Sequence, residues 1–196
     1  MIENKPTIYN TPTIYNQGNK KNYVKFGGLI YEYVKIGKLY WTTENLKNYT
    51  SGALFYNNSS DYSYLGYLYP TIDIISDTNT QSSFIQNLVH DGWRVPTRED
   101  FETLLNYPLE ELKDKLNSWP SNGNDKTGFN CYKSGFRGVG GSWVPDSSVF
   151  ISQSLERGGI AYYFNVTNLD RTVQTNVDAL TVEGQRLRSV RFCKDV

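Results

Sequence analysis

The amino-acid sequence predicts an α+β domain, because the hydrophobic periodicity changes twice along the chain. An apolar and aromatic segment from Leu29 to Trp41 surrounds the pair Gly37-Lys38, as in a β-hairpin. Residues 81–116 then carry apolar side chains at helical spacing, and residues 128–193 return to short apolar runs between glycines and polar turns. This order of strands, helices and strands indicates an α+β fold with two or three helices and a strand-rich, irregular C-terminal half.

The first 22 residues differ from the rest of the chain. They contain the repeat Pro6-Thr7-Ile8-Tyr9-Asn10 and Pro12-Thr13-Ile14-Tyr15-Asn16, followed by a polar linker at Gln17–Asn22. The sequence therefore predicts an extended arm at residues 1–22 and a ligand-binding domain at residues 23–196. The arm either docks on another subunit or a larger particle, or forms a strand on its own domain. An arm that docks on other subunits would fit a homo-oligomer such as a trimer.

The segment around Trp93 holds the clearest helix start. Pro96 favours an extended lead, Thr97 and Asp100 have the spacing of a capping box, and Trp93 can anchor the segment in the core. Apolar side chains at helical spacing follow at Phe101, Leu104 and Leu105. We expect a helix from Thr97 to about Asn106, with the rest of the chain packed around it.

Two further helices flank this one. The first spans Gln81–Val89, and the other begins at Pro108 and faces inward through Leu109, Leu112 and Leu116. From Trp119 onward the pattern indicates strands, at Gly128–Gly138, Val149–Ser154, Ile160–Val166, Thr172–Leu180 and Leu187–Cys193.

The composition argues against several functional classes. Twenty basic residues balance twenty acidic residues among 196, so the chain lacks the basic excess of a nucleic-acid binder. Its apolar runs are far shorter than the roughly 18 residues that span a bilayer, and its start lacks the apolar region of a secretory signal. We expect no nucleic-acid partner and no membrane insertion. The 16 tyrosines suit strands, and they also suit a contact surface.

Catalytic and metal-ligating residue types are scarce. His90 is the only histidine, and it follows a predicted helix, where it can interact with the helix dipole. Together with Cys131 and Cys193 it makes three widely spaced candidate ligands, whereas a zinc site needs three or four His, Cys or carboxylate ligands close together. The two cysteines either form one disulfide or remain buried thiols. We expect no cofactor, no metal and no enzymatic activity.

Nine short fragments, in order between residues 29 and 195, resemble one family, the Fibrobacter succinogenes major paralogous (FISUMP) domain. They are Ile36-Gly37 with Leu39-Tyr40-Trp41, Glu44-Asn45-Leu46, Gly66-Tyr67-Leu68-Tyr69, Gly92-Trp93-Arg94-Val95-Pro96-Thr97, Trp119, Gly128-Phe129, Ser134-Gly135-Phe136-Arg137, Ala161-Tyr162-Tyr163 and Ser189-Val190-Arg191-Phe192-Cys193-Lys194-Asp195. The resemblance implies a C-type-lectin-like fold, in which the first and last strands pair and the termini leave together. It also implies a long irregular second half with one exposed face. Arg94 and Arg191, which carry the family motif, are expected to be buried ion-pair anchors rather than ligand contacts.

The chain departs from the family at two places. His90-Asp91 stand where the family usually has Cys-Pro, so Cys193 lacks its expected disulfide partner. Phe150–Ser154 replace a Trp-Ser-Ser type stretch, so that the family's aromatic residue near Ile151 is missing. The second departure suggests that this part of the surface has been rewritten.

The same fold class includes the variable proteins of diversity-generating retroelements, among them phage tail adhesins. On this resemblance, the leading interpretation is a phage-borne variable adhesin that displays a C-terminal face to a bacterial cell-surface protein or glycan. Residues 1–22 would attach it to the virion tail. The alternative is a bacterial cell-surface FISUMP domain that binds polysaccharide or protein. A third interpretation is an enzyme similar to formylglycine-generating enzymes, which use a cysteine pair.

The candidate ligand-binding face starts from Trp143, because large aromatic side chains on loops dominate interface energies. Val144 and Asp146 follow Trp143, although neither they nor the rest of the chain reproduces the calcium-binding motifs of true C-type lectins. Two strand residues, Ile151 and Leu155, either extend an exposed patch with Gln153 and Arg157 or belong to the core. The polar rim of the face would comprise Asn165, Asn168, Asp170, Arg171 and Gln185.

Overall fold

The computed structural model describes residues 21–75, 80–115, 119–120, 123–156, 160–175 and 186–196. These ranges contain short helices and mainly antiparallel strands, which confirms the α+β class. The α-helices are α1 (Thr71–Ile74), α2 (Ser83–Leu88), α3 (Arg98–Leu104) and α4 (Leu109–Leu112). Three 3₁₀ helices lie at Tyr56–Asn58, Ser60–Leu65 and Val139–Gly141. Within the described ranges, every helix is too short or too polar to cross a membrane.

The strands form three sheets. In chain order they are β1 (Asn22–Phe26), β2 (Leu29–Ile36), β3 (Leu39–Thr42), β4 (Tyr69–Pro70), β5 (Phe136–Arg137), β6 (Trp143–Val144), β7 (Ser147–Glu156), β8 (Ile160–Thr167), β9 (Arg171–Thr175), β10 (Leu187–Arg188) and β11 (Cys193–Asp195). Their spatial orders are β1-β2-β3-β11, β4-β10-β5-β6 and β7-β8-β9.

The predicted hairpin is confirmed, and an unpredicted strand precedes it. Ile36 pairs with Leu39 across the Gly37-Lys38 turn, where Gly37 has a φ of 62°. Strand β1 joins the same sheet through a second tight turn at Gly27-Gly28. Exposed Tyr23 and Lys25 alternate with the two buried residues of β1, which is the pattern of a strand with one buried face. The strand is only five residues long and begins at Asn22, where the predicted polar linker ends. Residues 1–20 of the predicted arm lie outside the described residues.

Within the described residues, the first and last strands, β1 and β11, do not pair, which corrects the expectation drawn from the resemblance. Strands β2 and β3 lie between β1 and β11, so the two outer strands form opposite edges of one sheet. The chain nevertheless enters and leaves at the same end of that sheet. Asn22 pairs with Tyr33 near the end of β2, and the Val196 N–H donates to the Lys38 carbonyl in the hairpin turn at 3.2 Å.

Several predicted strands are shorter than expected. The run at 128–138 yields only β5, because Gly128, Asn130 and Gly135 all have positive φ and interrupt an extended chain. The run at 187–193 divides into β10 and β11, which belong to different sheets. Strand β9 ends at Thr175, and the rest of the run predicted to reach Leu180 lies outside the described residues.

Strand β7 is buried on both faces and separates two apolar clusters. Val149 and Ile151 point into one cluster, which also contains Trp93. Phe150 points into the other, together with Phe164 of β8. The β7–β8 ladder is therefore the centre of the core.

Helix α3 starts as predicted. The Thr97 side chain accepts from the Asp100 N–H, and the Asp100 carboxylate accepts from the Thr97 N–H, which completes the capping box. Trp93 is buried and makes edge-on contacts with Phe26 and Tyr33, at centroid distances of 5.7 and 5.2 Å. The segment from Trp93 to Leu104 thereby joins the two clusters, since Trp93 lies in one and the α3 side chains lie in the other.

Helix α2 begins and ends close to the predicted positions. Helix α4 begins as predicted but ends at Leu112, because Lys113 is extended and pairs with Cys131, so the predicted continuation to Leu116 is wrong. The Ser82 side chain caps α2 by accepting from the Ile85 N–H. Pro108 precedes α4, whose Leu112 is fully buried. Leu116, the third residue of the predicted inward face, lies outside the described residues.

Candidate functional site

The predicted anchor Trp143 lies on a short antiparallel pair. Trp143 pairs with Arg137, and Val144 pairs with Phe136. A tight turn places these strands side by side, since the Gly138 N–H donates to the Ser142 carbonyl at 2.8 Å. Gly140 and Gly141 both have positive φ in this turn, a conformation that glycine adopts without steric cost. The side chain of Trp143 remains partly exposed.

Two tyrosines from the first half of the chain complete an aromatic group. Tyr56 meets Trp143 edge-on at 5.4 Å, and Tyr62 meets Tyr56 edge-on at 5.1 Å between ring centroids. The Arg137 guanidinium lies 5.7 Å from the centre of the Trp143 ring, within the range of a cation–π contact. Gly135 makes this packing possible, because a Cβ atom there would lie 2.4 Å from the Tyr56 ring.

A pair of opposite charges borders the aromatic group. Lys133 Nζ lies 3.5 Å from Asp146 Oδ1, and the Asp146 side chain is 67% exposed against 26% for Lys133. Burial, with smaller contributions from Tyr62 and Asp146, raises the pKa of Tyr56, so its hydroxyl is protonated at neutral pH. We call Tyr56, Tyr62, Trp143, Arg137, Lys133 and Asp146 the Trp143 surface.

Part of the predicted rim lies at the same end of the central ladder as Asp146. Ser147, which follows Asp146, pairs with Thr167, and the β8–β9 turn follows directly. In that turn the Thr167 N–H donates to the Asp170 carbonyl, and Lys113 Nζ donates to the Asn168 carbonyl at 2.8 Å. Val144, Asp146, Asn168 and Asp170 therefore lie around one end of the sheet.

Asn165 lies on β8, two residues before Thr167 and therefore further into the sheet. It pairs with Val149 on one side and Thr172 on the other. Its Oδ1 atom is buried and has no hydrogen-bond partner among the described residues. Arg171 turns back towards the helices, where it donates to the Leu105 carbonyl at 3.0 Å.

Other predicted site residues lie elsewhere. The assignment of Ile151 to the exposed face is wrong. Ile151 is fully buried, because its side of β7 packs into the apolar cluster that contains Trp93. The Gln153 N–H donates to the Pro96 carbonyl at 2.6 Å, which places this residue beside the start of α3. Six residues of extended chain separate it from Ser147, or about 20 Å. Arg157, Gln185 and the side chain of Leu155 lie outside what the structure describes.

Sequence reasoning missed Tyr56 and Tyr62. They lie in a segment rich in Tyr, Asn and Ser, which was expected to hold short strands at most, and which instead forms 3₁₀ helices. The density of tyrosine in a polar loop was the only local signal for a contact surface. Their approach to Trp143 depends on tertiary packing, which local patterns do not reveal.

The cysteines are two separate buried thiols. Burial raises the pKa of Cys131 to about 12. Burial, reinforced by the nearby Asp100 carboxylate, also raises the pKa of Cys193 well above its usual range. Because the thiolate is the reactive form, both sulfur atoms are poor nucleophiles in the folded protein.

The remaining candidate chemical groups have structural partners. The two ring nitrogens of His90 contact the Asp91 carboxylate and the Lys25 carbonyl, each at 2.8 Å. The described residues contain no group of three or more His, Cys, Asp or Glu side chains that could hold a metal ion.

The two arginines of the resemblance differ from each other. Arg94 forms the expected ion pair, through two contacts with Asp100 and a longer one with Asp195 at 3.4 Å. The expectation of an ion pair is wrong for Arg191. This residue is fully buried, but it donates its hydrogen bonds to neutral oxygens of Asn45 and of backbone carbonyls. Burial accordingly lowers its pKa to about 10, so the guanidinium stays charged at neutral pH.

The chain was compared with models of known protein families, with curated protein sequences and with solved structures, and none of the three comparisons gave a match.

Proposed function

We propose that this chain is a non-enzymatic recognition domain of C-type-lectin-like fold that binds a bacterial cell-surface protein or glycan through the Trp143 surface. The observation that carries the proposal is the geometry of that surface. Trp143 and Tyr56 are partly exposed, yet ring contacts and the Arg137 guanidinium hold them in place. Fixed aromatic side chains with charged neighbours are typical of the residues that dominate binding energy.

The positions of the resembling fragments support the proposed fold. Trp93, Arg191 and Cys193 are all buried, and Arg94 links helix α3 to the last strand. These residues therefore stabilise a scaffold, as motif residues of a binding domain would, and leave the exposed positions free to vary. The entry and exit of the chain at one end of a sheet also agree with a C-type-lectin-like arrangement.

Within this proposal, the domain belongs to a phage-borne variable adhesin that is a target of a diversity-generating retroelement. Residues 1–22 attach it to the tail of the virion. The half-exposed positions around Trp143 suit such a role, because rigid strands carry them and substitutions there leave both apolar clusters intact. The third interpretation, an enzyme with a cysteine pair, is disfavoured by the burial of both thiols and by their raised pKa values.

Binding of the fluorescently labelled protein to a panel of intact bacteria, measured by flow cytometry, tests the surface. We expect Trp143→Ala to weaken binding to any bound strain by at least about thirtyfold, because a hot-spot residue contributes roughly 2 kcal/mol or more. Tyr23→Ala is the control, since Tyr23 is a 41% exposed aromatic residue on β1, outside the Trp143 surface. Equal loss in both variants, or no loss in either, would contradict the proposal.

The second candidate is a bacterial cell-surface FISUMP domain that binds polysaccharide or protein. Its support is that the resembling fragments extend from residue 36 to residue 195 and thus cover nearly the whole described domain. Deep sequencing of the gene within one population separates the two candidates. Substitutions concentrated at Trp143, Val144 and Asp146 favour the variable adhesin, and a uniform sequence there favours the second candidate.

A further inference from the structure

A shallow cleft of about 290 Å³ lies between residues 49–51, helix α1 and the start of α2. Its apolar lining comes from Tyr49, Ile72 and Phe84, and its polar lining includes Thr50, Asp73 and Ser83. This cleft shares no residue with the Trp143 surface. The volume is just below the roughly 300–1,000 Å³ that small-molecule sites occupy, so the cleft suits a ligand of about one ring.

A chain of aromatic rings fixes both walls of the cleft. The Tyr49 ring contacts Tyr67 at 5.6 Å, Tyr67 contacts Tyr69 at 6.2 Å, and Tyr69 contacts Phe84 at 6.2 Å. Tyr69 is fully buried, and its hydroxyl donates to the Asn48 carbonyl at 2.6 Å. Tyr49 itself is 66% exposed, so the aromatic ring at the end of this chain of contacts is accessible from solvent.

A carboxylate is held at a defined position in the same cleft. The Thr50 hydroxyl donates to Asp73 Oδ2 at 2.7 Å, and the Ser82 hydroxyl donates to the Asp73 carbonyl. Asp73 Oδ1 receives no hydrogen bond from the described residues. Gly52 leaves room for the carboxylate, because a Cβ atom there would lie 2.9 Å from Oδ2. Asp73 is therefore oriented by the protein and retains one oxygen that can accept from a ligand.

We infer that this cleft binds a neutral saccharide ring. A sugar has one apolar face, which can lie on Tyr49, and hydroxyl groups at its edge, one of which can donate to Asp73 Oδ1. The hydroxyls of Ser51 and Ser83 can both donate and accept, and the Thr50 hydroxyl, which donates to Asp73, can still accept. This set of groups matches a polyol better than an anion or an apolar ligand. The carboxylate repels anionic sugars. Asp73 is the one acidic side chain among the described residues that line the cleft, and a single carboxylate does not supply the six or more oxygen ligands of a calcium site.

Saturation-transfer and chemical-shift NMR on the full chain test the inference, with glucose, galactose, mannose and N-acetylglucosamine added separately. At least one of them should bind with a millimolar dissociation constant. Tyr49→Ala should weaken that binding by about tenfold or more, while Tyr49→Phe, which keeps the ring, should bind nearly as the wild type does. Asp73→Asn should also weaken binding, because an amide accepts less strongly than a carboxylate.

Tyr64→Ala is the matched control, since Tyr64 is 61% exposed and does not line the cleft. It should leave sugar binding unchanged. The inference is overturned if none of the four sugars binds, or if Tyr49→Ala and Tyr64→Ala have equal effects. Tighter binding of methylammonium than of any sugar also overturns it, because the cleft would then be a site for cations.

Discussion

Arg191 offers the most informative test of the scaffold. Its guanidinium is completely buried and joins three separate segments of the chain. Nε donates to Asn45 Oδ1 at 2.7 Å, and Nη1 donates to the carbonyls of Thr42 and Phe129 at 2.7 and 2.9 Å. Nη2 donates to the Asn130 carbonyl at 2.9 Å. Four oxygen acceptors in residues 42–45 and 129–130 thus receive hydrogen bonds from this one side chain.

The substitution Arg191→Lys retains the positive charge but replaces the planar guanidinium, which has five N–H donors, with a single ammonium group. An ammonium group at the position of Nη1 can serve Thr42 and Phe129, and it leaves the acceptors of Asn45 and Asn130 without a donor. Each orphaned buried acceptor costs about 1–3 kcal/mol, so we expect the free energy of unfolding to fall by about 2–6 kcal/mol. That is a large part of the roughly 5–15 kcal/mol that stabilises a typical domain.

Urea unfolding followed by tryptophan fluorescence measures this change. The control is Arg137→Lys, at a half-buried surface position, for which we expect a change below about 1 kcal/mol. If Arg191→Lys costs less than about 1 kcal/mol, the lower limit for a single orphaned acceptor, the hydrogen-bonding argument is refuted.

Three further predictions concern α3 and the buried thiols. Thr97→Ala removes the capping hydroxyl and should lower the free energy of unfolding by about 1 kcal/mol in urea; an unchanged midpoint would count against the cap. Burial alone would raise the pKa of Asp100, but the hydrogen bonds from Arg94 and Thr97 outweigh it and lower that pKa. This contribution to stability is present above the unfolded pKa of about 3.9 and is lost as pH falls through the folded value, so Asp100→Asn should flatten the acid side of the stability–pH curve. Cys131 and Cys193 should react with iodoacetamide only after unfolding, and rapid labelling of the folded protein in mass spectrometry would contradict their burial.

Local features of the fold could be read from the sequence because nearby residues determine them. The Gly37-Lys38 turn needs a residue that tolerates positive φ between two apolar runs, and the sequence shows both. The capping box of α3 depends only on Thr97 and Asp100, three positions apart. Such features depend on a few consecutive residues, so their physical basis is visible in the chain itself.

The candidate site was only partly predictable, because its members meet through long-range packing. Alternation along β7 left the exposure of Ile151 open, and the structure buries it because both faces of this strand are covered. Residue spacing gave no indication that Tyr56 would pack on Trp143, or that Gln153 would lie beside α3. Strand β1 was missed because its alternation of exposed and buried side chains covers only five residues and directly follows a polar segment.

The placement of the outer strands has a practical consequence for protein engineering. Strands β1 and β11 are separated by three strand spacings, or about 14 Å, and the pairing register offsets Asn22 from Val196 by about four residues, or about 13 Å, along the strands. The two positions are therefore about 19 Å apart, which a linker of about six residues can cover, since an extended residue spans about 3.3–3.6 Å. The described domain is therefore suited to circular permutation, and to insertion as a unit into a surface loop of a host protein.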